Sequence, residues 1–289
     1  MFSGPGQSSM GTERGRSAKK SLGQNFLVDP GVIDRIVGSV DFGSGQTVVE
    51  VGAGRGALTR VLAERCDRLI GVEKDDSLAP RLAREFQGND RVAILHSDAL
   101  TVLPGEMPFE GPYQVVGNLP YNIGGRITMH LLENWGAQLS SATLMFQREV
   151  AERLAAGPES RSYGALSVLV QAFCEVWLLF GVPPEAFRPV PKVNSMVVRL
   201  QRRSLPLFDG LDYEFFRRTV HGAFHARRKT VLNSLVLAPG LPGDAELLRS
   251  ALEQAEISSQ LRADAIPIER YLALARVLDE HRSEGPGND

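Results

Sequence analysis

A glycine-rich turn and two carboxylates follow three consecutive predicted strands. Gly52 and Gly54 come directly after the first strand, Glu73 follows the second and Asp98 follows the third. Glycines permit a tight turn that brings the backbone close to a ligand at a helix N-terminus. Glu73 could accept hydrogen bonds from both hydroxyls of a ribose, and Asp98 could accept one from an adenine amine. Each feature alone is as common in a ligand-free turn or a solvated loop, but their order at consecutive strand ends predicts a site for an adenosyl cofactor.

The fourth predicted strand ends in four residues that could act on an amine, namely Asn118-Leu119-Pro120-Tyr121. The lone pair of adenine's exocyclic amine is delocalised into the ring, so a catalyst must localise it by accepting hydrogen bonds from the two N–H groups. The side-chain oxygen of Asn118 and the backbone carbonyl of Leu119 could accept them, with Pro120 fixing the turn and Tyr121 stacking on the base. We expect Asn118 also to contribute to cofactor binding. Because positioning can supply most of the rate of a displacement by such an amine, no nucleophilic side chain is required.

Alternating strands and helices must hold these residues. The strands are predicted at 47–51, 69–72, 92–95 and 113–116, the helices at 57–64 and 78–86, and an earlier helix opens at Pro30 with Asp29 as its N-cap. This order predicts an α/β, doubly wound domain with a parallel sheet and helices on both faces. Ligands bind such sheets beyond the carboxyl ends of the strands, which is where the candidate motifs fall.

The remaining chain divides by composition. Residues 1–18 are rich in Gly, Ser and Pro and are expected to be a disordered leader, followed by the α/β domain over 19–205. Charged helical patterns predict a small C-terminal α-helical domain over 206–282 and a disordered tail over 283–289. The apolar stretch 166–183 is typical of buried strands rather than of a membrane span.

Charge is unevenly distributed along the chain. Residues 187–230 contain ten Arg or Lys against three Asp or Glu, a net charge of +7, which leaves the rest of the chain at −9 within an overall −2. Such asymmetry indicates a surface that faces a polyanion, although a solvated basic face of a helical domain explains the charge alone equally well.

Other residue types exclude several classes of protein. The 289 residues contain no predicted transmembrane segment or signal peptide, so a cytoplasmic protein is expected. Cys66 and Cys174 lack a metal-ligand spacing and are expected to be buried thiols. The pair His221 and His225 lacks the Glu of a zincin motif, so no metal site is predicted. Trp135 and Trp177 are expected in the core.

Motifs along most of the chain resemble those of the ribosomal RNA adenine dimethyltransferase family. Besides those above, they are Gly23-Gln24-Asn25-Phe26-Leu27, Tyr163-Gly164-Ala165-Leu166-Ser167, Phe187-Arg188-Pro189-Val190-Pro191-Lys192-Val193 and Arg227-Arg228-Lys229-Thr230. The resemblance implies a Rossmann-like methyltransferase domain that uses S-adenosyl-L-methionine. Its substrate would be two adjacent adenines in a hairpin near the 3′ end of small-subunit (16S) ribosomal RNA, each dimethylated within a pre-assembled small subunit.

The resemblance also implies roles for individual residues. Asn25 and Leu27 would contact the cofactor, and Phe187 would form the second wall of the base pocket opposite the tyrosine. The C-terminal helical domain would bind RNA through the run Arg227-Arg228-Lys229, which is expected to begin a helix, and Lys192 would contact RNA as well. The protein is expected to be a monomer. The chain departs from the family pattern after Ile123, where Gly124-Gly125-Arg126 replace a small hydroxyl residue and a proline. The two glycines are expected to soften a loop, and Arg126 to add a charge near the pocket.

Three other functions remain as alternatives. A methyltransferase that confers antibiotic resistance by acting on large-subunit ribosomal RNA has almost the same pocket motifs, but 163–167 and 227–230 favour the small-subunit enzyme. A non-catalytic RNA- or transcription-binding descendant of the fold is disfavoured by the intact Gly52, Glu73, Asp98 and Asn118. A nicotinamide oxidoreductase is disfavoured because the turn has the spacing Gly-x-Gly-x-Gly rather than Gly-x-Gly-x-x-Gly.

Overall fold

The computed structural model describes residues 25–43, 45–241 and 244–284. The predicted leader over 1–18 lies outside the described residues. So do residues 285–289 of the predicted tail, whereas helix α10 extends through Glu284 and so includes the first two residues of that tail.

A seven-stranded mixed sheet forms the centre of the α/β region, in the order β4-β3-β2-β5-β6-β9-β7. The first five of these strands pair in parallel, and β9 pairs antiparallel with both β6 and β7. The predicted doubly wound fold is confirmed, and an antiparallel pair extends the parallel sheet at one edge. A separate two-stranded sheet joins β1 to β8. The strands are β1 (Phe26–Leu27), β2 (Thr47–Val51), β3 (Arg68–Glu73), β4 (Val92–His96), β5 (Tyr113–Asn118), β6 (Leu139–Gln147), β7 (Cys174–Val182), β8 (Phe187–Arg188) and β9 (Ser195–Arg202).

Helices flank the sheet and then form the C-terminal region. At the first of them Asp29 accepts a hydrogen bond from the backbone N–H of Val32 at 3.0 Å, so the predicted N-cap before Pro30 is confirmed. The helical C-terminal region begins at Tyr213, capped by Asp212, which accepts from the N–H of Glu214. The helices are α1 (Pro30–Gly38), α2 (Ala57–Arg65), α3 (Ala79–Glu85), α4 (Gly124–Asn134), α5 (Arg148–Ala155), α6 (Ala165–Phe173), α7 (Tyr213–Ala223), α8 (Val231–Leu237), α9 (Ala245–Gln254) and α10 (Ile268–Glu284).

The apolar stretch 166–183 is only partly a strand, so the prediction of buried strands there is wrong. Its first half is the buried helix α6, and its second half is the edge strand β7. An apolar run without clear periodicity does not distinguish a buried helix from a buried strand. Trp177 on β7 is 43% exposed, so its predicted core position is also wrong, whereas Trp135 is buried at 2%.

One continuous hydrophobic cluster joins the sheet to the C-terminal helices. It contains Val49 of the central strand β2 and Leu278 of α10. Aromatic rings connect the two regions, since Phe208 lies 4.9 Å from Phe173 of α6 and 5.8 Å from Phe216 of α7 between ring centroids. The sheet and the C-terminal helices are therefore packed together rather than linked by a free tether.

The two cysteines are buried and unpaired, as predicted. Burial raises the pKa of the Cys66 thiol to about 11 and that of Cys174 to about 12, so neither is a thiolate at neutral pH. Over the described ranges, no group of three His, Cys, Asp or Glu side chains is arranged to hold a metal ion. No helix in this part of the chain is long and apolar enough to cross a membrane.

Candidate active site

A cavity of about 330 Å³ opens at the carboxyl ends of β2, β3 and β5 and beside β4. Its position follows from the fold, because the carboxyl ends of parallel strands meet at one edge of the sheet. The volume lies in the range of pockets that hold cofactor-sized ligands, roughly 300–1,000 Å³. Its lining includes Asn25, Phe26, Val51, Gly52, Gly54, Val72, Glu73, Lys74, Ser97, Asp98, Ala99, Leu100, Asn118, Leu119, Pro120, Tyr121, Asn122, Ile123, Arg126 and Ile127.

The glycine turn after β2 has the left-handed backbone that its residue types permit. Gly52 has φ 75° and Gly54 has φ 58°, a region that favours glycine. The N–H of Gly52 donates to the carbonyl of Val72 at 2.8 Å, which holds the turn against the end of β3. The turn therefore presents backbone, without side-chain bulk, to the cavity.

Glu73 links this turn to the end of β3. Its Oε2 accepts from the backbone N–H of Gly54 at 2.7 Å, and its Oε1 accepts from the N–H of Asp75 at 2.7 Å. Glu73 is 6% exposed. Two backbone donors thus fix both carboxylate oxygens, and the remaining lone pairs of each oxygen are the acceptors that a ribose diol needs.

Asp98 lies on the next strand end along the sheet. Its Oδ2 is 2.6 Å from Nζ of Lys74, and its Oδ1 accepts from the N–H of Leu100 at 3.0 Å. Burial raises the pKa of Asp98, but the hydrogen bonds from Lys74 and Leu100 and the charges of Lys74 and Arg126 more than offset it, so the pKa lies below its ordinary value. Asp98 is therefore an ionised acceptor at neutral pH.

Glu50 lies behind the glycine turn on β2 and is 2% exposed. Burial, reinforced by the nearby charge of Glu73, raises the pKa of Glu50 to about 8. Glu50 is therefore protonated at neutral pH, whereas Asp98 is ionised. Sequence reasoning assigned no state to Glu50, because its burial depends on both neighbouring strands.

Each residue from Asn118 to Tyr121 is held by a different part of the fold. Nδ2 of Asn118 donates to the carbonyl of Asn25 at 3.0 Å, which uses one of the two N–H donors of the amide and fixes the orientation of its oxygen, a hydrogen-bond acceptor. The N–H of Leu119 donates to the carbonyl of Met145 on β6 at 3.2 Å. The carbonyl of Pro120 accepts from the first turn of α4, and the Tyr121 hydroxyl lies 2.8 Å from Oγ of Ser195.

The segment before α1 covers one side of the cavity. Asn25 and Phe26 line it, whereas the Leu27 side chain is 5% exposed and packs behind the site, in a second hydrophobic cluster that includes buried side chains of α1 and α2. The guanidinium of Arg55, in the glycine turn, lies 4.2 Å above the Phe26 ring. Sequence reasoning missed Phe26, although it stands between the two predicted contact residues in the same motif.

Phe187 does not line the cavity in this structure. Its side chain is fully buried in the second cluster, and its residue pairs with Leu27 between β8 and β1. The structure thus brings Asn25, Asn118 and Tyr121 together and places Phe187 behind them. A role for Phe187 as the second wall of a base pocket stays a prediction, and it requires the ring to become accessible.

The Gly124-Gly125-Arg126 departure lies in a helix rather than in a loop, so the expected softened loop is absent from the described residues. Gly124 and Gly125 open the first turn of α4, and Gly124 is buried against Phe146. Arg126 lines the cavity, and its charge contributes to lowering the pKa of Asp98, as expected for a charge near the pocket.

The predicted RNA-binding cations lie outside the cavity. Arg227, Arg228 and Lys229 occupy the turn between α7 and α8 rather than the start of a helix, because α8 begins at Val231. These three and Lys192 are exposed, and none forms an ion pair with a residue in the described ranges. By contrast, Arg203 and Arg217 of the same basic segment pair with Glu175 and Glu214.

Sequence comparisons place the chain among ribosomal RNA modification enzymes. The model of the family described as "Ribosomal RNA adenine dimethylase" matches residues 15–280. A relative named "Ribosomal RNA small subunit methyltransferase A" from Geobacter metallireducens is 42% identical over 267 residues, covering 91% of this chain and 96% of the relative. A protein of the same name from Chlorobium chlorochromatii is 43% identical, covering 89% and 92%.

Solved structures agree on the fold. A dimethyladenosine transferase from Plasmodium falciparum matches with a TM-score of 0.74 and 23% identity, covering 90% of this chain and 98% of that one. The 23S rRNA methyltransferase ErmE matches with a TM-score of 0.65 and 29% identity, covering 88% of this chain and all of the other. Each match covers about nine-tenths of this chain, which is more than the residues that precede the C-terminal helices.

Proposed function

The chain belongs to the ribosomal RNA adenine dimethylase family, and we propose that it transfers methyl groups from S-adenosylmethionine to two adjacent adenines near the 3′ end of small-subunit ribosomal RNA. The observation that carries this proposal is one shared cavity. Asn118 and Tyr121 line the same space as Gly54, Glu73 and Asp98. An amine acceptor and an adenosyl-binding set thus lie within reach of one bound cofactor.

S-adenosylmethionine supplies a methyl group activated on a sulfonium, and the residues of the cavity fit the rest of that molecule. Glu73 is buried with both oxygens fixed, which preorganises acceptors for the two ribose hydroxyls. Asp98 is ionised and stands where an adenine amine would donate. Asn25 and Phe26 line this side of the cavity, where they would shield a bound cofactor from water.

The tetrapeptide performs the chemistry on the target base. The Asn118 side-chain oxygen and the Leu119 carbonyl accept hydrogen bonds from the two N–H groups of the adenine amine, which localises the lone pair on the amine nitrogen. Their positions are fixed in advance by Asn25 and Met145, so little reorganisation accompanies the reaction. Tyr121 offers a ring face to the base, and stacking on an aromatic ring contributes roughly 1–3 kcal/mol.

The substrate follows from the family and from charge. Lys192, Arg227, Arg228 and Lys229 are exposed cations outside the cavity, suited to contact phosphates and to position a structured RNA without reading its bases. We propose a pre-assembled small subunit as the substrate, since the small subunit is named as the target of the bacterial relatives, and a monomeric enzyme in the cytoplasm.

The proposal is tested by incubating the protein with tritiated S-adenosylmethionine and small subunits that lack adenine dimethylation. Large subunits and protein-free small-subunit RNA serve as parallel substrates. Mass spectrometry of the nucleosides should show two N6,N6-dimethyladenosines per small subunit and none on large subunits. Methylation confined to large subunits would instead support the resistance-type activity, and binding without transfer would support a non-catalytic descendant.

A further inference from the structure

A hydroxyl pair joins the catalytic tetrapeptide to the central sheet. Oη of Tyr121, in the loop after β5, lies 2.8 Å from Oγ of Ser195, the first residue of β9. Ser195 is fully buried, and Tyr121 is half-buried and lines the cavity. The hydrogen bond thus connects a side chain at the reaction site to one that no ligand can reach.

The sheet holds Ser195 from both sides. Ser195 pairs with Gln147 of β6 and with Val182 of β7, so its backbone is fixed within three hydrogen-bonded strands. The neighbouring loop is tied to the same strands, because the carbonyl of Asn194 accepts from the N–H of Arg148 at 3.0 Å. The Ser195 hydroxyl is therefore a fixed point relative to the cavity.

Tyr121 needs such a fixed point more than the other three residues of its tetrapeptide. Asn118, Leu119 and Pro120 are each held through a backbone partner or a side-chain amide, as described above. The ring of Tyr121 reaches its partner only through its distal oxygen, so this bond restricts rotation about both side-chain torsions. A ring fixed before the base arrives loses less conformational entropy on stacking.

We propose that Ser195 is a positioning residue for methyl transfer, which holds the Tyr121 ring in the orientation that receives the target adenine. This inference rests on the proposed function, since it gives the ring a base to receive. Ser195 itself contacts neither base nor cofactor. Its contribution passes through the Tyr121 hydroxyl alone, so removing either hydroxyl should have the same effect.

The test compares Ser195→Ala, Tyr121→Phe and the double variant with the wild type. Each single variant should lower kcat/KM on small subunits roughly five- to tenfold, as expected for the loss of one hydrogen bond. The double variant should be no worse than either single one, because both remove the same bond. Cofactor affinity, measured by calorimetry, should be unchanged in all three.

A control and a second readout separate positioning from folding. Thr219→Val removes another fully buried hydroxyl, which donates to the carbonyl of Phe215 in α7, and should leave kcat/KM unchanged. Tyr121→Phe retains the ring and leaves the buried strand intact, so it reports on positioning even if Ser195→Ala folds poorly. The inference is overturned if Tyr121→Phe has wild-type kcat/KM or if the two effects add. Failure of the wild type to methylate small subunits would instead overturn the proposed function.

Discussion

At the residue scale, the Glu73 carboxylate accepts from two backbone N–H groups and, in the proposed function, also from a ribose. It closes the glycine turn through Gly54 and the start of the next loop through Asp75, both at 2.7 Å. Replacing it with alanine would remove these contacts together with the ligand acceptors. Glutamine is the more informative change, because its amide keeps one acceptor oxygen while it substitutes a donor for the other.

Glu73→Gln should weaken S-adenosylmethionine binding roughly 10- to 100-fold, since a hydrogen bond to a charged group contributes about 1.5–3 kcal/mol. Calorimetric titration with the cofactor measures the change. Glu85→Gln provides the matched control, because Glu85 pairs with Arg60 outside the cavity. Equal affinities for wild type and Glu73→Gln would show that this carboxylate does not hold the ribose.

Asn118→Ala should lower the rate of methyl transfer by about 10²–10³, the range found when one preorganised polar group is removed from an active site. Single-turnover transfer from tritiated cofactor to small subunits measures the rate, and urea unfolding checks the fold. Asn134→Ala is the control, since Asn134 bonds only to His130 within α4 among the described residues. A near-wild-type rate for Asn118→Ala would contradict the proposed geometry of the amine.

The residues predicted correctly to meet at the cavity share one physical property. Gly54, Glu73, Asp98 and Asn118 each end a strand or follow its last residue by two or three positions, and parallel strands bring their carboxyl ends to one edge. Ser195 could not be predicted in this way. Ser195 lies 74 positions from Tyr121 in the sequence. The contact between their hydroxyls depends on the antiparallel strand β9, which an alternation of strands and helices does not predict.

At the element scale, helix α4 begins with two adjacent glycines in different surroundings. A Cβ built on Gly124 would lie 3.0 Å from Cδ1 of Phe146, whose ring is 2% exposed. A Cβ on Gly125 would lie 3.4 Å from Cδ2 of Leu166, an ordinary contact with a partly buried side chain. The sequence shows two equivalent glycines, and only the packing distinguishes them.

Gly125→Ala should therefore raise the free energy of unfolding by roughly 0.5–1 kcal/mol, because alanine lowers the entropy of the unfolded chain and favours the helix. Gly124→Ala should lower it by roughly 1–3 kcal/mol through overpacking. Urea unfolding of the two variants measures both changes, each serving as the other's control. The opposite order of stabilities would show that the packing at the start of α4 differs from the one described.

Strand β2 holds a carboxyl whose protonation couples folding to pH. In the folded protein Glu50 stays protonated up to about pH 8, whereas in the unfolded chain it ionises near 4.5. Its contribution to stability is fully present below about pH 4.5, is lost as the pH rises toward 8, and is constant above that value.

Glu50→Gln cannot ionise, so its free energy of unfolding relative to the wild type should increase with pH between 5 and 8. The increase is at most roughly 1.4 kcal/mol per pH unit. Urea unfolding at several pH values measures it, with Glu149→Gln as an exposed control on α5. Parallel pH profiles for wild type and Glu50→Gln would mean that Glu50 is ionised in the folded protein.

The sequence pattern predicts some strands and helices correctly and fails for others. The sequence predicts strands β2 to β5 to within two residues at each end, because each is a short β-branched run between turn residues. The sequence of α6 does not distinguish it from a strand, because this helix is apolar on nearly every side and Gln171 is its one long polar side chain. That side chain donates to the carbonyls of Leu154 and Ala156, a buried use that periodicity does not reveal.

At the scale of the whole molecule, the basic segment 187–230 divides into two kinds of cation. Arg202 lies 5.5 Å from the Phe173 ring and donates to the carbonyl of Leu132, and Arg203 and Arg217 form ion pairs. These contacts lie within the α/β region and within α7, not between the sheet and the C-terminal helices. Part of the charge excess is therefore used in contacts within the protein, whereas the sequence alone suggests a surface that faces a polyanion or a solvated basic face.

The turn between α7 and α8 holds the second kind of cation, which has no ion-pair partner among the described residues. Arg227, Arg228 and Lys229 are exposed and form no ion pair with described residues, so their charges are directed at solvent. Holding three like charges in one short turn costs free energy through mutual repulsion. A polyanion that binds there relieves the repulsion and releases counterions, which is the behaviour of phosphate contacts in RNA complexes.

Replacing these three residues by alanine should weaken binding to small subunits and reduce the slope of log affinity against log salt by roughly 2–3, given about 0.7–0.9 per phosphate contact. Cofactor affinity should not change, because none of the three lines the cavity. The control replaces Arg65, Arg81 and Arg84, three exposed cations of α2 and α3, and removes the same net charge. If both triple variants change the slope equally, the effect belongs to the overall charge of the protein. If neither variant changes the slope, the three cations of the turn contact only solvent. A reduced slope confined to the Arg227-Arg228-Lys229 variant would place RNA phosphates against this turn.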